Sequence, residues 1–229
     1  MLRSPIHVRD FLASLPLFKD IHAVDLRRIA ERIESVDAPK GTVLAQRGQR
    51  CAGFYVVVYG HVKLALQTQR GNEKIVEILG RGQTFGEFAM FLDQQYLTTA
   101  EAIADSKLLY VSKSTVMEEI EREPAFARRM ILALSRRLSL LFGVIEGYTV
   151  RNGTQRVGAY LLSQMAEPDD LAPAQIILPV QKGVIASHLN LTHEHFSRIL
   201  HDLAAAGLIE VRGRAVRILD SEKLRGLTA

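Results

Sequence analysis

Eight of the chain's sixteen glycines fall between Gly41 and Gly86, at positions 41, 48, 53, 60, 71, 80, 82 and 86. Between them lie short runs rich in β-branched and aromatic residues, 54–59 (FYVVVY), 61–66 (HVKLAL) and 74–79 (KIVEIL), the last two alternating apolar with polar or small side chains. Glycines at this density supply the backbone freedom of tight turns, so the first half reads as a compact all-β unit of short strands. A last strand pair is expected over 99–104 and 108–111, with Asp105-Ser106 as the turn between them. Residues 11–34, with Leu26, Ile29, Ala30 and Ile33 at helical spacing, predict a lead-in helix.

After Ser112 the period becomes helical. Pro124 suits the first turn of a helix, and Leu134, Leu138, Leu141, Ile145 and Tyr148 follow at spacings of 4, 3, 4 and 3. Two readings stand: a helix packed on its own β-unit, or a parallel dimer seam. The flanking Arg128, Arg129, Arg136 and Arg137 leave one narrow apolar stripe, which favours the seam. Gly143 and Gly147 weaken the helix by about 1 kcal/mol each relative to alanine, so the seam needs tertiary support. Asn152-Gly153 ends the pattern, giving expected divisions at 1–122, 123–150 and 151–229. Beyond it come a helix over 155–166, a polar loop with Pro168, Asp169, Asp170 and Pro173, a short strand at 176–178, and two more helices.

With 229 residues, 48% apolar and 24% charged, the chain is long enough for two small domains, and its composition excludes disordered and fibrous classes. Cys51 is the only cysteine, which excludes a disulfide scaffold, a multi-thiolate zinc site and a four-cysteine iron–sulfur cluster, and suits a reducing cytosol. The longest apolar run, 54–59, is far shorter than the roughly 20 residues of a membrane span, and residues 1–10 carry Arg3, His7, Arg9 and Asp10 in place of a signal-peptide core. A cytoplasmic protein without a membrane partner is expected. The formal charge of +4 permits an anionic partner without establishing one. Residues 151–229 hold nine Lys and Arg against eight Asp and Glu, so any argument for nucleic acid rests on placement rather than net charge.

That placement lies in 180–219. A helix containing Val184, Ile185, Ala186 and Leu189 gives way at Asn190, a residue tolerant of the left-handed conformation, and a second helix starts after Thr192, whose hydroxyl can cap it. Phe196, Ile199, Leu200 and Leu203 form the second helix's buried face, while Glu194, Ser197 and Arg198 share another at i, i+3 and i+4. This trio suits base reading in a major groove: glutamate accepts from cytosine N4, arginine donates twice to guanine, and serine serves either way. The plain alternative is a solvated face holding a Glu194–Arg198 ion pair worth a few tenths of a kcal/mol. Gly207-Leu-Ile then closes the helix, and 210–219 (EVRGRAVRIL) reads as a β-hairpin wing with Arg212, Arg214 and Arg217 available for phosphates. Together these predict a winged helix-turn-helix.

The stretch 189–200 (LNLTHEHFSRIL), followed by Gly207-Leu-Ile-Glu-Val and preceded by 82–88 (GQTFGEF), resembles the CRP/FNR transcription regulators over nearly the whole chain. The resemblance implies an α+β protein: an N-terminal cyclic-nucleotide-binding-like β-roll, a long dimerisation helix and a C-terminal winged helix-turn-helix. It implies a homodimer on double-stranded DNA, with RNA polymerase as a further partner, and extends the DNA-contacting set to Thr192 and His195. The Glu194-x-x-Ser197-Arg198 form is similar to the FNR-type recognition helix, which implies a palindrome of TTGAT-like half-sites about one DNA turn apart.

For the sensor, the resemblance places an effector pocket at Gly86, Glu87, Thr98 and Thr99. Cyclic-nucleotide binders of the family carry an Arg-Ser or Arg-Ala clamp about ten residues after the Gly-Glu pair. Here 93–100 (DQQYLTTA) has no cation, so a buried cyclic phosphate lacks its counter-charge and cAMP is not expected. The single cysteine also separates the chain from the cluster-bearing oxygen sensors. What remains looks like the DNR branch, regulators of denitrification that respond to nitric oxide, with haem b as the implied cofactor. The axial-ligand candidates are His7, His22, His61, His188 and Cys51. His193, His195 and His201 lie on or near the recognition helix and read as a solvated DNA-facing surface. A cAMP-responsive regulator, a Cys51 thiol switch and a cyclic-nucleotide-type module acting on a protein partner stay open as alternatives. No nucleophile with a base at helpful spacing, metal-ligand motif or paired carboxylates appear, so an enzyme is not expected.

Overall fold

A computed structural model of the chain describes residues 8–15, 18, 23–67, 73–165 and 175–228. It divides into two compact units, Met1–Leu140 and Leu141–Ala229, with the division inside the helix expected at 123–150.

In the first unit two short helices, α1 (Val8–Ala13) and α2 (Ala23–Glu31), stand where a single lead-in helix over 11–34 was expected. The helix stops at Ala13, where Ser14 turns its hydroxyl back to the Phe11 carbonyl at 2.6 Å. The chain is extended again by β1 (Glu34–Ala38), so Ile33 precedes a strand. Seven further strands follow: β2 (Val43–Ala45), β3 (Gly53–Tyr59), β4 (Val62–Gln67), β5 (Glu73–Leu79), β6 (Thr84–Phe85), β7 (Thr99–Ala102) and β8 (Ser106–Ser112), with helix α3 (Glu87–Phe91) between β6 and β7. They form two four-stranded antiparallel sheets, ordered β1-β8-β3-β6 and β2-β7-β4-β5.

The strand pair expected over 99–111 is therefore not a hairpin. β7 joins one sheet and β8 the other, and the link between them is a crossover held by Ser106, whose buried hydroxyl donates to the Ala104 carbonyl at 2.7 Å and accepts from the His61 amide at 3.1 Å. Turn-forming residues mark a change of direction, and sheet membership is decided by which apolar face finds the core. Phe54, Val56, Val57, Val58, Leu79, Leu108 and Leu109 are fully or almost fully buried in the core of this unit. Phe11, Leu12, Phe18, Leu26 and Ile29 of the lead-in segment pack against the same core.

Two helices close the unit. Helix α4 (Lys113–Arg122) is capped by Ser112, whose hydroxyl accepts from the Thr115 amide, and it buries Glu119. That carboxylate is held by both nitrogens of an Arg28 fork, Nε at 2.9 Å and Nη2 at 2.7 Å. Helix α5 (Pro124–Val150) starts at the proline, as its sequence implied, and sends Phe126 and Met130 into the β-roll core.

The second unit holds α6 (Gly153–Ser163), β9 (Gln175–Ile177), α7 (Lys182–His188), α8 (His193–Ala205), β10 (Ile209–Arg212), β11 (Ala215–Ile218) and α9 (Ser221–Thr228). Asn152 starts α6 through a capping box with Gln155, each side chain accepting from the other's amide. The wing hairpin gains a third strand, in the order β10-β11-β9, which local pattern alone did not reveal. Helix α9 also went unpredicted. Asp220 caps it at the Lys223 amide, and its fully buried Leu224 packs beside Gly158 of α6.

Breaking a buried ion pair from one side leaves an uncompensated charge. Arg28→Ala should lower the stability of the first unit by about 3 kcal/mol in chemical denaturation, and adding Glu119→Gln should recover much of that loss.

Candidate nucleic-acid interface and effector pocket

The helix-turn-helix is built from its turn. Helix α7 ends at His188 with Leu189 as its C-cap, and Asn190 takes the left-handed conformation with φ 57°, reversing the chain. The Leu191 amide donates back to the Ala186 carbonyl at 2.9 Å. Thr192 then caps α8, its hydroxyl accepting from the His195 amide at 3.1 Å. Phe196, Ile199, Leu200 and Leu203 are buried, which fixes the rotation of α8 about its axis. Glu194 and Arg198 are consequently exposed and Ser197 half-buried, on the face the spacing assigned to them. Among the described residues Glu194 and Arg198 form no ion pair with each other, so both are free to engage a partner. His193, His195 and His201 are exposed on the same helix.

The wing departs from expectation. Gly213, with φ 61°, and Arg214 form the two-residue turn between β10 and β11. Arg214 does not extend freely toward solvent: its Nε and Nη2 donate to the Leu178 carbonyl at 3.0 and 2.7 Å, and Nη2 also to the Pro179 carbonyl at 2.8 Å. It satisfies backbone acceptors at the end of β9 and thereby pins the wing tip to the chain entering α7. In the free protein a guanidinium aimed at two carbonyls has most of its donors in use. Arg212 is 82% exposed but gives both Nε and Nη2 to Glu210 Oε1, at 2.9 and 2.6 Å. Arg217 lies 3.8 Å from the other oxygen of the same carboxylate.

In the first unit a narrow pocket opens beside α3, lined by Gly86, Glu87, Thr98, Phe85, Tyr96 and Arg137 among others. Gly86 begins α3 with φ 100°, and a Cβ there would come within 3.0 Å of the Gly53 carbonyl, so only glycine fits. Glu87 is buried and bonded to the Thr84 hydroxyl. Thr99 does not line this pocket: its hydroxyl accepts from the Arg47 amide at 3.3 Å, and it borders a separate cleft with Val43, Gln46 and Glu101. Thr98 precedes β7 and Thr99 is its first residue, and the two side chains border different clefts.

A cation does reach the pocket, from outside the stretch where sequence reasoning looked for one. Arg137 of α5 donates to Glu77 Oε2 at 2.6 Å and to the Thr84 carbonyl at 2.9 Å. Burial pushes the Glu77 carboxyl above its usual range and the nearby Glu87 charge adds to this, while Arg137 opposes both. Arg137 had been read only as a flank of the dimer stripe. The missed signal was its spacing: Phe126, Met130, Ala133 and Arg137 recur at 4, 3 and 4, one helical face directed at the roll.

Of the described haem-ligand candidates, none is among the residues lining this pocket. His61 sits at the β3–β4 turn, His188 ends α7 in the second unit with its ring 6.5 Å from that of Tyr160, and His7 and His22 lie outside the described residues. Tyr160 is itself pushed up to about 12 by burial. Cys51 is buried, its thiol directed at the Gly53 and Gly86 carbonyls at 3.1 and 3.3 Å. A thiol so enclosed has little access to solvent in this structure. No group of three or more His, Cys, Asp or Glu able to hold a metal occurs among the described residues, and no described helix is long and apolar enough to cross a membrane.

A β-roll with a pocket against a long helix, followed by a winged helix-turn-helix whose polar recognition face is free, defines a DNA-binding regulator with a sensor domain. Residues 35–123 match the cyclic nucleotide-binding domain family and residues 155–227 the Crp-like helix-turn-helix domain family. The DNR structure from Pseudomonas aeruginosa is 32% identical, covering 99% of this chain and 100% of that one, with a TM-score of 0.53. The fumarate and nitrate reduction regulatory protein of Salmonella typhimurium is 25% identical over 228 residues, 97% of this chain and 90% of that protein. The fold is also shared with FixK2 from Bradyrhizobium japonicum, at 22% identity and a TM-score of 0.77 over 86% of this chain and 98% of that one. The chain belongs to the CRP/FNR family of DNA-binding transcription regulators, whose members act as dimers.

Two measurements test the reassigned arginines. Arg214→Ala should lower the melting temperature of the second unit without changing the slope of DNA affinity against salt, because it removes a backbone clamp and no phosphate contact. Arg137→Gln should destabilise the first unit by about 2 kcal/mol at neutral pH. The cost falls on ionised Glu77, so the deficit is full above its raised pKa and shrinks as the pH falls through it, which urea denaturation at about pH 7.5 and about pH 5 would read.

Proposed function

We propose that this protein is a homodimeric regulator that binds palindromes of TTGAT-like half-sites through α8 and is switched by an effector in the β-roll pocket. The signal in this reading is nitric oxide, in the control of denitrification or anaerobic nitrogen-oxide metabolism, and RNA polymerase is the further partner. The observation that carries it is the free Glu194, Ser197 and Arg198 face on a helix held in place by its Thr192 cap and its buried Phe196, Ile199, Leu200 and Leu203. In the major groove Arg198 donates to guanine O6 and N7 and Glu194 accepts from cytosine N4.

Dimerisation is supported by the surface of α5. Leu138, Leu141 and Ile145 of the expected seam are exposed and Leu134 is half-buried, while the Tyr148 side chain lies outside the described residues. Ile131, Leu132, Leu140 and Phe142 are exposed as well, so the apolar surface is broader than the single stripe the arginines suggested. Apolar surface concentrated on one exposed helix marks a site of association.

The nitric-oxide reading draws on the 32% identity to DNR along the whole chain and on the absence of cluster ligands. Haem is not fitted by the described residues of the pocket, where Glu87 and Arg137 are the charged groups and no histidine or cysteine is among the lining residues. The haem expectation therefore rests on His7 and His22, and protein reconstituted with haem b should lose its Soret band in the His7→Ala, His22→Ala double variant. A wild-type protein showing neither a Soret shift nor altered DNA binding on nitric oxide would end that part of the reading and leave the DNA part standing.

Arg198→Ala should cost about 1–3 kcal/mol on the palindrome and relax selectivity at one base pair per half-site, measured by fluorescence anisotropy on a panel of single-base variants. Wild-type dimer that bound the palindrome no better than scrambled DNA under every effector tried would overturn the proposal.

A further inference from the structure

All three wing arginines are engaged within the protein itself. Arg214 is committed to the Leu178 and Pro179 carbonyls, and Arg212 and Arg217 converge on the single carboxylate of Glu210. The strand register explains the convergence. Glu210 of β10 lies directly opposite Arg217 of β11, and Arg212, two residues further along β10, returns to the same face. The opposite face carries the buried Ile209, Val216 and Ile218, so the three charged side chains stand together on the solvent side, around a shallow depression also bordered by Gln175 of β9.

An ion pair this exposed contributes little to stability, since water and salt screen it. Its effect on DNA binding is larger. Each cation that neutralises a backbone phosphate releases a condensed counterion, so an arginine already neutralised by a neighbouring carboxylate forfeits that gain, and the carboxylate itself repels the backbone. We propose that Glu210 is a built-in competitor for the DNA backbone: its carboxylate occupies Arg212 and Arg217 in the free protein, and a phosphodiester must displace it before the wing can grip. The inference rests on the DNA-binding role of α8 and the wing. It makes Glu210 a specificity-determining residue. Unrelated DNA offers only phosphate contacts and meets a wing that resists them. A site whose bases satisfy Glu194, Ser197 and Arg198 supplies the additional free energy that opens the cluster.

The test compares full-length wild-type protein with Glu210→Gln on an unrelated duplex and on the TTGAT palindrome, across a range of salt concentrations. Glu210→Gln keeps the shape of the side chain and removes its charge. It should bind the unrelated duplex about threefold or more tightly, with a salt slope steeper by about 0.9 for every phosphate newly held, and its preference for the palindrome should shrink. Adding Arg212→Gln should reverse most of the gain. Glu222→Gln, which removes a carboxylate from α9 instead of the wing, should leave affinity and slope near wild type. Equal affinities and slopes for wild type and Glu210→Gln, an equal gain from Glu222→Gln, or a gain that survives Arg212→Gln would each overturn the inference. Failure of the wild-type protein to prefer the palindrome would instead count against the half-site reading, because the comparison on unrelated DNA does not depend on that preference.

Discussion

The structure turns on one helix having two apolar faces. Along α5, Phe126, Met130, Ala133 and Arg137 recur at the spacing of one helical face, and the first three enter or abut the β-roll core while the fourth reaches the pocket. Leu138, Leu141 and Ile145 continue along the helix as exposed apolar side chains. The early turns of α5 thus bear out the reading of a helix packed on its own β-unit, while the later turns keep apolar side chains exposed. A helix apolar on more than one side is stable only if each side is covered, which ties the folding of the sensor to the assembly of the dimer.

Arg137 gives this arrangement its chemical sense. It is the last residue of the roll-facing row, and its guanidinium lies between Glu77 on β5 and the Thr84 carbonyl on β6, next to the buried Glu87. Arg137 holds Glu77, and Glu87, bonded to the Thr84 hydroxyl, adds a second carboxylate to the same pocket wall. Arg137 thereby makes α5 part of the pocket wall.

Much of the DNA-binding unit was legible in the sequence because its determinants are local. Asn190 tolerates a positive φ, Thr192 caps the helix it precedes, and the period of Phe196, Ile199, Leu200 and Leu203 sets which side faces out; each depends on neighbours within a turn or two. The contacts that local pattern did not reveal join residues far apart in sequence. Arg214 meets carbonyls 36 and 35 residues away, and Arg137 meets Glu77 at a separation of 60. The β7–β8 link was read as a hairpin because a turn signal does not state which sheet the next strand will join.

The sequence by itself determined the helix-turn-helix, the outward face of Glu194, Ser197 and Arg198 on its second helix, and, through a single cysteine, the absence of a four-cysteine cluster, because periodicity, capping and composition act over short range. Only the tertiary structure decided how the charges are spent: Arg137 on the sensor pocket, Arg214 on the backbone, Arg212 and Arg217 on Glu210, and Cys51 sealed in the core. A charged side chain takes the partner that folding brings within a few ångströms, and that distance is a property of the packed chain, with no counterpart in the local pattern.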